Sequence, residues 1–320
     1  EPGEVIVSPE TRDMTGAFFS YRACGPPAAE GAATGAHAAP PAWIALGPSN
    51  LASRSEALYA EPMTPLIGRE DELALLLRAW QQARSGAGRL ILLTGEAGIG
   101  KSRLLAALAD ALAGEPHTEL RYFCSPLHQD STLHPIIARL ERVAGFADAD
   151  TAEQRLRKLA AALAPGALSA EDFALVADLL AVPTDPNGPT AKLSPQQRKQ
   201  RTFAALQRRL DGLARRQPVL VLFEDVHWAD RTTLELLEVV LDRITALPVL
   251  LVISHRPEFA APWTGRADSA VITLNRLDGS QSMTLVQQQV TGERTLPAAL
   301  CARIVEQADG VPLFLEELTK

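Results

Sequence analysis

Cysteines and long apolar runs are scarce in this chain of 320 residues. The three cysteines, Cys24, Cys124 and Cys301, lie far apart and have the spacing of neither a metal site nor a disulfide framework. This usage is typical of a reducing compartment, so we expect a cytoplasmic protein. No apolar run approaches the roughly 18 residues that a membrane-spanning helix needs. No signal peptide is expected either.

Positive charge is also in short supply, since the formal net charge is −7 and the pI is near 5.5. This balance argues against general binding to nucleic acid. A helix predicted to begin at Ser194 carries many Arg and Lys residues, but they lie opposite an apolar stripe, and we interpret them as a solvated face. The sequence starts at Glu1 rather than Met and ends at Lys320 within a helical pattern, so we expect it to belong to a longer protein.

Composition divides the chain into three regions. Residues 1–24 are predicted to form a strand, a helix and a strand, with Ser8 as the N-cap of the helix. Residues 25–61 are dominated by Ala, Gly and Pro and are predicted to be a linker. From residue 62 onward, short apolar strands alternate with helices, which indicates an α/β domain with a doubly wound parallel sheet.

The stretch GEAGIGKS, residues 95–102, matches the pattern G-x-x-x-x-G-K-[ST]. An apolar strand is predicted before it and a helix after it, which is the context that this phosphate-binding loop, or P-loop, requires. Its glycines allow inward-pointing N–H groups, and the helix start adds positive potential for a triphosphate. Lys101 would contact the β- and γ-phosphates, and Ser102 would ligate Mg²⁺. The predicted nucleotide-binding residues here are Gly95, Glu96, Ala97, Gly98, Ile99, Gly100, Lys101, Ser102 and Arg103.

A buried strand, VLVLF at residues 219–223, leads into Glu224 and Asp225. Ligands of open α/β folds bind at the carboxyl ends of such strands. One carboxylate would hold the Mg²⁺ shell, and the other would orient the attacking water. The residues alone leave this division of roles open. By position, we assign Glu224 to the metal and Asp225 to the water.

Three further features follow this strand. His227 is compatible with a role at the γ-phosphate and equally with structural packing. Thr232 and Glu235 are predicted to form a capping box for the next helix. Arg256 follows another apolar strand and is a candidate to sense the γ-phosphate, with a simple salt bridge as the open alternative.

These motifs occur in the order seen in the signal-transduction ATPases with numerous domains, and the chain most resembles the AAA/Orc-like ATPase modules of large bacterial regulators. The resemblance covers residues 62–320. It implies a P-loop ATPase domain at 62–275, the start of a helical lid domain at 276–320, and a slow switch that uses ATP, ADP and Mg²⁺. It rests on the segments LIGREDELALLLRAW, LLTGEAGIGKSRLL, VLVLFEDVHWADRTTLELL, ISHRPEF and ADGVPLFLEEL.

The same resemblance implies further contacts. Ile67, Gly68 and Arg69 would lie near the adenine, with Arg69 near the nucleotide. Pro312 would contact the adenine from the lid, and Arg256 would be a sensor arginine. The helical periodicity has an equally good explanation without a ligand, in which Gly310 ends one helix and Pro312 begins the next.

The beginning of the chain resembles a different family. PGEVIVSPETRDMTGAFFSYRACG is similar to the last strand–helix–strand of a class III adenylate/guanylate cyclase domain, and AWIALG followed by TPLIGRE is typical of bacterial cyclase–ATPase fusions. The usual lysine–glycine step after the last cyclase strand is replaced by AEGAATGA. The cyclase catalytic residues would lie upstream, so this chain should not make cyclic nucleotides. The implied partners are an upstream cyclase domain and downstream helical or repeat domains of the parent.

The sequence thus predicts an ATP-binding regulatory module of an adenylate cyclase-type signalling protein. Two alternatives stay open. In the first, the chain is the ATPase module of a LuxR-like transcription regulator, and sequence beyond Lys320 would decide this. In the second, the chain is a scaffold that binds nucleotide without hydrolysing it, and phosphate release would exclude this.

Overall fold

A computed structural model describes residues 5–9, 11–12, 19–24, 42–48, 66–166, 168–185, 187–188, 190–289 and 296–320. Contacts between residues divide the chain into two compact units, Glu1–Met63 and Thr64–Lys320. Within the described ranges, no helix combines the length and the apolar character that crossing a membrane requires.

The first unit contains a three-stranded antiparallel sheet in the order β1–β3–β2, formed by β1 (Val5–Val7), β2 (Phe19–Cys24) and β3 (Ala42–Pro48). A helical turn follows β1, and the N–H of Thr11 donates to Oγ of Ser8 at 3.2 Å, so the predicted cap is confirmed. The prediction of a linker throughout residues 25–61 is wrong at β3. This strand pairs with both β1 and β2, because its apolar side chains favour a sheet over the loop that the surrounding Ala, Gly and Pro suggest.

The second unit alternates helices and strands, as the sequence predicts. Its first half contains α1 (Glu70–Arg84), β4 (Arg89–Thr94), α2 (Lys101–Leu112), β5 (Thr118–Phe123), α3 (His134–Ala144), α4 (Ala152–Leu163) and α5 (Ala170–Leu179). The second half contains α6 (Pro195–Ala214), β6 (Val219–Glu224), α7 (Arg231–Ile244), β7 (Val249–His255), β8 (Ser269–Thr273), α8 (Gly279–Gln289), α9 (Ala298–Ala308) and α10 (Pro312–Thr319).

Strands β4 to β8 form one parallel sheet in the order β5–β6–β7–β4–β8, with helices on both faces. Leu90 and Leu92 of β4 pack into the core under α3 to α7, whereas Ile91 and Leu93 pack into the core under α1 and α2. Successive side chains of a strand point to opposite faces, so a sheet covered on both sides needs uninterrupted apolar strands. The predicted α/β fold with a doubly wound parallel sheet is confirmed.

Helices α8 to α10 surround a third, smaller apolar cluster. Its buried members are Leu277, Leu285, Val286, Cys301, Ile304, Ala308 and Leu315. Ile67, just before α1, packs against this cluster as well. Because these helices lie within the same compact unit as the sheet, a separate lid domain that begins at residue 276 stays a prediction. We refer to α8 to α10 as the C-terminal helices.

The basic face of α6 is tied into local ion pairs. The helix begins as predicted, with Oγ of Ser194 accepting the N–H of Gln197 at 3.3 Å. Carboxylates of neighbouring helices then pair with its cations, which accords with a solvated face rather than a nucleic-acid surface. The pairs are Arg198 with Asp178, Lys199 with Glu235, Arg201 with Glu171, and Arg208 with Asp172.

Asp230 caps α7. Its Oδ1 accepts the backbone N–H groups of Thr232 at 2.9 Å and Thr233 at 3.0 Å. The predicted capping box of Thr232 and Glu235 is therefore wrong, because the helix begins at Arg231 and both residues lie inside it. The other oxygen of Asp230 accepts the N–H of Leu133 at 3.1 Å, so one carboxylate fixes both the start of α7 and the loop before α3.

Candidate nucleotide-binding site

The P-loop connects β4 to α2 at the carboxyl edge of the sheet. Gly98 and Gly100 have φ values of +75° and +100°, a region that glycine adopts without steric strain. A Cβ atom on Gly95 would lie 2.8 Å from Cγ2 of Ile99, so glycine is required there as well. A loop of this kind turns its N–H groups toward one anion, and the start of α2 favours the same charge.

Lys101 is the first residue of α2 and is 7% exposed. Its Nζ donates to the carbonyl oxygens of Gly95 at 2.8 Å and Glu96 at 2.9 Å. Burial lowers the pKa of Lys101, the carboxylate of Asp225 raises it, and the cation of Arg256 lowers it further. The ammonium group thus lies within electrostatic reach of residues from two other strand ends.

Strand β6 places Glu224 and Asp225 beside this lysine. Glu224 is 1% exposed. Asp225 has a left-handed backbone with φ of +56°, a conformation that Asp adopts more readily than most residues. Its N–H donates to Oγ of Ser254 at 3.0 Å, which holds this turn against the end of β7. Burial raises the pKa of Asp225, while Lys101 and Arg256 lower it.

Arg256 and His227 both lie against the ring of Trp228. The guanidinium carbon of Arg256 is 5.4 Å from the ring centroid of Trp228, a cation–π distance, and the His227 ring centroid is 4.9 Å from the same residue. Neither ring nitrogen of His227 has a hydrogen-bond partner among the described residues. Burial, followed by the charges of Arg256 and Lys101, lowers the pKa of His227 to about 4, so the ring is neutral at pH 7.

Backbone hydrogen bonds align these strand ends. Gly95 donates its N–H to the carbonyl oxygen of His255 at 3.3 Å, and Cys124 donates to that of Glu224 at 3.0 Å. The P-loop, the acidic pair and Arg256 therefore share one edge of the sheet, as their positions in the sequence suggest. Their roles toward a nucleotide stay predictions.

Arg69 lies between the P-loop and the segment that follows β8. It is 6% exposed, and its guanidinium donates to the carbonyl oxygens of Ile99 and Asn275 and to the carboxylate of Glu72. Gly68, with φ of +64°, lies against the side chain of Gln281 in α8. Arg69 thus contacts two backbone carbonyls around the site and the carboxylate of Glu72, and these contacts do not test its predicted proximity to the nucleotide.

Pro312 opens α10 directly beside the P-loop. The N–H of the next residue, Leu313, donates to the carbonyl oxygen of Gly98 at 3.2 Å. This position is compatible with a base lying between the P-loop and the C-terminal helices, and the adenine contact of Pro312 stays a prediction.

The donor set suits Mg²⁺. Ser102 and Glu224 offer oxygen ligands, which this hard cation prefers. No cluster of three or more His, Cys, Asp or Glu side chains in the described ranges could hold a metal by itself. Magnesium in nucleotide sites commonly takes one or two protein oxygens and completes its shell with phosphate and water. The residues present therefore fit a nucleotide-bound magnesium ion.

Sequence reasoning missed two contributors to this region. Ser254 is the next-to-last residue of the strongly apolar strand β7, and a lone hydroxyl at that point is a usable signal for a buried hydrogen bond. Arg276 contacts both the P-loop residue Glu96 and Asp309, which precedes α10. Nothing in the sequence marks Arg276, because its two partners are distant along the chain.

Comparison with known proteins agrees with this fold. The AAA ATPase domain family matches residues 65–253, which is more than half of the chain. The chain belongs to this family and is a nucleotide-binding module.

The chain is also similar to an uncharacterized protein of Rhizobium meliloti (strain 1021), with 32% identity over 325 aligned residues. The alignment covers 99% of this chain but 30% of that protein, so the chain spans less than a third of its relative's length. Among solved structures, it is similar to a chain of the HORMA:CdnC:Trip13 complex of E. coli MS115-1, with a TM-score of 0.38 and 16% identity over 75% of this chain and 72% of that one. A likeness of this size supports no argument about function.

Proposed function

We propose that this chain binds ATP, hydrolyses it slowly, and acts as a regulatory module of a multidomain bacterial signalling protein of the adenylate cyclase type. The observation that carries the proposal is the convergence of Lys101, Asp225 and Arg256 at one sheet edge, where the charge of each shifts the pKa of another. Two cations and a carboxylate beside a P-loop are the groups that phosphoryl transfer to water requires.

Each group has a distinct task in this proposal. The N–H groups of residues 95–100 and the ammonium of Lys101 bind the phosphates. Ser102 and Glu224 would hold Mg²⁺, which supplies neutralisation of phosphate charge when bound. Arg256 stabilises the negative charge that develops on the γ-phosphate oxygens. Asp225 orients the attacking water and accepts its proton.

Asp225 suits the role at the water better than Glu224 does. Its backbone is held by the hydrogen bond to Ser254, so its position is set by a neighbouring strand. Burial raises the pKa of Asp225, which makes its carboxylate a stronger base than an exposed aspartate. Glu224 is almost fully buried at the strand end, and we assign it to the Mg²⁺ ion.

Three observations support the regulatory part of the proposal. The C-terminal helices have their own apolar cluster and contact the P-loop through α10, which suits a lid that responds to nucleotide. The sheet at residues 5–48 contains the strand, helical turn and strand expected of the end of a cyclase domain. The relative is more than three times as long as this chain, which suits a multidomain parent.

The test is to measure bound nucleotide and turnover on the purified chain. Nucleotide is extracted and identified by chromatography, and phosphate release is then followed with ATP and Mg²⁺. The variants are Lys101→Ala and Asp225→Asn, with Lys192→Ala as the control, because Lys192 is an exposed lysine in the loop before α6.

We expect Lys101→Ala to weaken ATP binding about tenfold or more, since it removes a charged hydrogen bond to phosphate. Asp225→Asn should retain ATP and lose turnover by about a hundredfold or more. A folded wild-type chain that neither binds nor hydrolyses ATP would refute the proposal. Binding without any phosphate release would instead establish the non-hydrolysing scaffold.

A further inference from the structure

Arg276 joins two parts of the chain that are far apart in sequence. It lies between β8 and α8, and its Nη2 and Nε donate to one carboxylate oxygen of Glu96 at 2.9 Å and 3.3 Å. Its Nη1 forms an ion pair with Asp309, the residue that ends α9. One guanidinium therefore bridges the P-loop and the turn that leads into α10.

This turn is tightly fixed to the segment that carries Arg276. Asp309 and Gly310 both have a left-handed backbone, with φ values of +48° and +72°. The N–H of Leu277 donates to the carbonyl oxygen of Gly310 at 2.8 Å. A Cβ atom on Gly310 would lie only 2.4 Å from the carbonyl oxygen of Leu277, so glycine is needed for this approach.

The start of α10 lies directly on the P-loop. Leu313 donates its N–H to the carbonyl oxygen of Gly98 at 3.2 Å. A Cβ atom on Gly98 would come within 2.8 Å of the Cβ atom of Leu313. Because the backbones are this close, α10 covers the P-loop at Gly98, and a movement of α10 away from the loop would open this side of the site.

From these contacts we infer that Arg276 is a positioning residue that holds α10 against the P-loop and thereby slows nucleotide release. Glu96 and Asp309 are its two anchors, and we call the three residues the latch. The inference rests on the proposed function, since it concerns how long that site retains its nucleotide. The latch acts on residence time and leaves the groups at the γ-phosphate untouched.

The chemistry of the latch requires arginine. Three nitrogens of the guanidinium are used at once, two on Glu96 and one on Asp309. The ammonium of a lysine is a single compact charge and cannot span both carboxylates in this fixed geometry.

The latch should respond to salt. The side chains of Arg276, Glu96 and Asp309 are 45%, 52% and 76% exposed, so water and ions reach all three. The Debye length falls from about 10 Å at 0.1 M salt to about 3 Å at 1 M, which screens such pairs strongly. Hydrogen bonding to Glu96 and the charge of Asp309 raise the pKa of Arg276, so the guanidinium stays charged over the working pH range.

The experiment measures the release rate of a fluorescent N-methylanthraniloyl-ADP from the full chain, chased with excess unlabelled ADP in a stopped-flow instrument. The variants are Arg276→Ala, Arg276→Lys, Asp309→Asn and the double variant Arg276→Ala with Asp309→Asn. The control is Arg266→Ala, because Arg266 also bridges two carboxylates, Asp242 and Asp268, away from the P-loop.

Arg276→Ala should speed release about two- to fivefold at low salt, the range expected for exposed ion pairs. Arg276→Lys should recover only part of the difference. The double variant should be no faster than Arg276→Ala, because the two residues act as one unit. At 1 M salt the wild type and Arg276→Ala should release at similar rates, and Arg266→Ala should match the wild type throughout.

Three outcomes overturn the inference in different ways. If Arg276→Ala and Asp309→Asn release the nucleotide at the wild-type rate while Lys101→Ala weakens binding, the latch does not exist and the proposed function stands. If the folded wild type binds no labelled ADP, the proposed function fails and the inference fails with it. An effect of Arg276→Ala that persists unchanged at 1 M salt also contradicts an electrostatic latch.

Discussion

Ser254 accepts the backbone N–H of Asp225 through its Oγ at 3.0 Å, so the end of one central strand sets the conformation of a carboxylate on the next. Asp225 needs this support because its backbone is left-handed, with φ of +56°. Strain of this kind persists only where the surroundings hold it, and it is concentrated at functional sites. The pair links the packing of the sheet to the chemistry of the site.

The variant Ser254→Ala should therefore lower both stability and turnover. Removing the acceptor leaves a part-buried N–H without its partner, which costs about 1–3 kcal/mol of unfolding free energy. ATP turnover should fall more than ATP affinity, because the proposed function assigns Asp225 to the attacking water and not to the bound phosphates. Denaturant unfolding and phosphate release measure the two effects.

The matched control is Ser282→Ala. Ser282 is 1% exposed, and its Oγ has no hydrogen-bond partner within the described residues. Replacing it with alanine removes a buried hydroxyl that has no partner among these residues, so the free energy of unfolding should stay the same or rise. Equal destabilisation by both variants would show that the Ser254 hydrogen bond contributes nothing specific.

Asp225→Asn should stabilise the fold at neutral pH. Burial raises the pKa of Asp225 above its ordinary value of 3.8, so the folded state favours the protonated form. The contribution of Asp225 to the free energy of unfolding is fully present below pH 3.8, and it is lost as the pH rises through the pKa of Asp225 in the folded chain. Asparagine removes that loss and tolerates the left-handed backbone.

The measurement is the melting temperature of wild type and Asp225→Asn between pH 4 and pH 8. The variant should melt higher at pH 8, and the difference should shrink toward pH 4. Asp110→Asn, at an exposed position of α2, is the control and should show no such trend. A wild type that melts higher than Asp225→Asn at pH 8 would show that the ionised carboxylate is stabilising.

His227→Phe should flatten the acid limb of the stability curve. The pKa of His227 is lowered from 6.5 to about 4, so the folded chain holds fewer protons there than the unfolded chain. Stability from this group is present above pH 6.5 and is lost as the pH falls toward 4. The slope should decrease without vanishing, because burial also lowers the pKa values of His134 and His255.

Thermal unfolding between pH 4 and pH 7 measures this slope for the wild type and for His227→Phe. If stability changes with pH equally in the two proteins, His227 has the same pKa in the folded and unfolded chains, and the prediction is wrong. Turnover should likewise show no titration step of His227 above pH 6, since the ring is already neutral there.

Asp230→Ala should be more damaging than Thr232→Ala. Asp230 accepts the N–H groups of Thr232 and Thr233 at the start of α7 and that of Leu133 before α3. Loss of an N-cap costs about 0.5–2 kcal/mol, and the freed N–H of Leu133 adds to that. Thr232→Ala keeps the N–H that Asp230 accepts and should stay within about 0.5 kcal/mol of the wild type. Chemical denaturation measures both, and the opposite order would restore Thr232 as the cap.

Much of the site could be predicted because its parts are local in the sequence. The P-loop is a contiguous stretch whose glycines and lysine have fixed spacing, and Glu224 and Asp225 directly follow an apolar strand. Parallel strands bring their carboxyl ends to one edge of the sheet, so the prediction of a parallel sheet already placed Lys101, Asp225 and Arg256 at the same edge.

Predictions from local sequence patterns were wrong where a residue or strand outside the pattern made the deciding contact. The spacing of Thr232 and Glu235 suits a capping box, but Asp230 lies earlier and accepts two N–H groups and a third from a distant loop. The apolar side chains of β3 favour a strand, but they lie among Ala, Gly and Pro residues, and the pairing with β1 and β2 cannot be read from that composition. Both outcomes depend on contacts that composition does not encode.

By itself, the sequence determined the α/β architecture, the phosphate-binding loop and the acidic strand end, because apolar periodicity and glycine placement act over a few residues. Only the tertiary structure decided that Ser254 holds Asp225, that Arg69 binds the backbone of Ile99 and Asn275, and that Arg276 joins Glu96 to Asp309. The two residues in each of these contacts are from 29 to 206 positions apart in the sequence. A side chain of this kind has no partner until the sheet and helices have brought one to it.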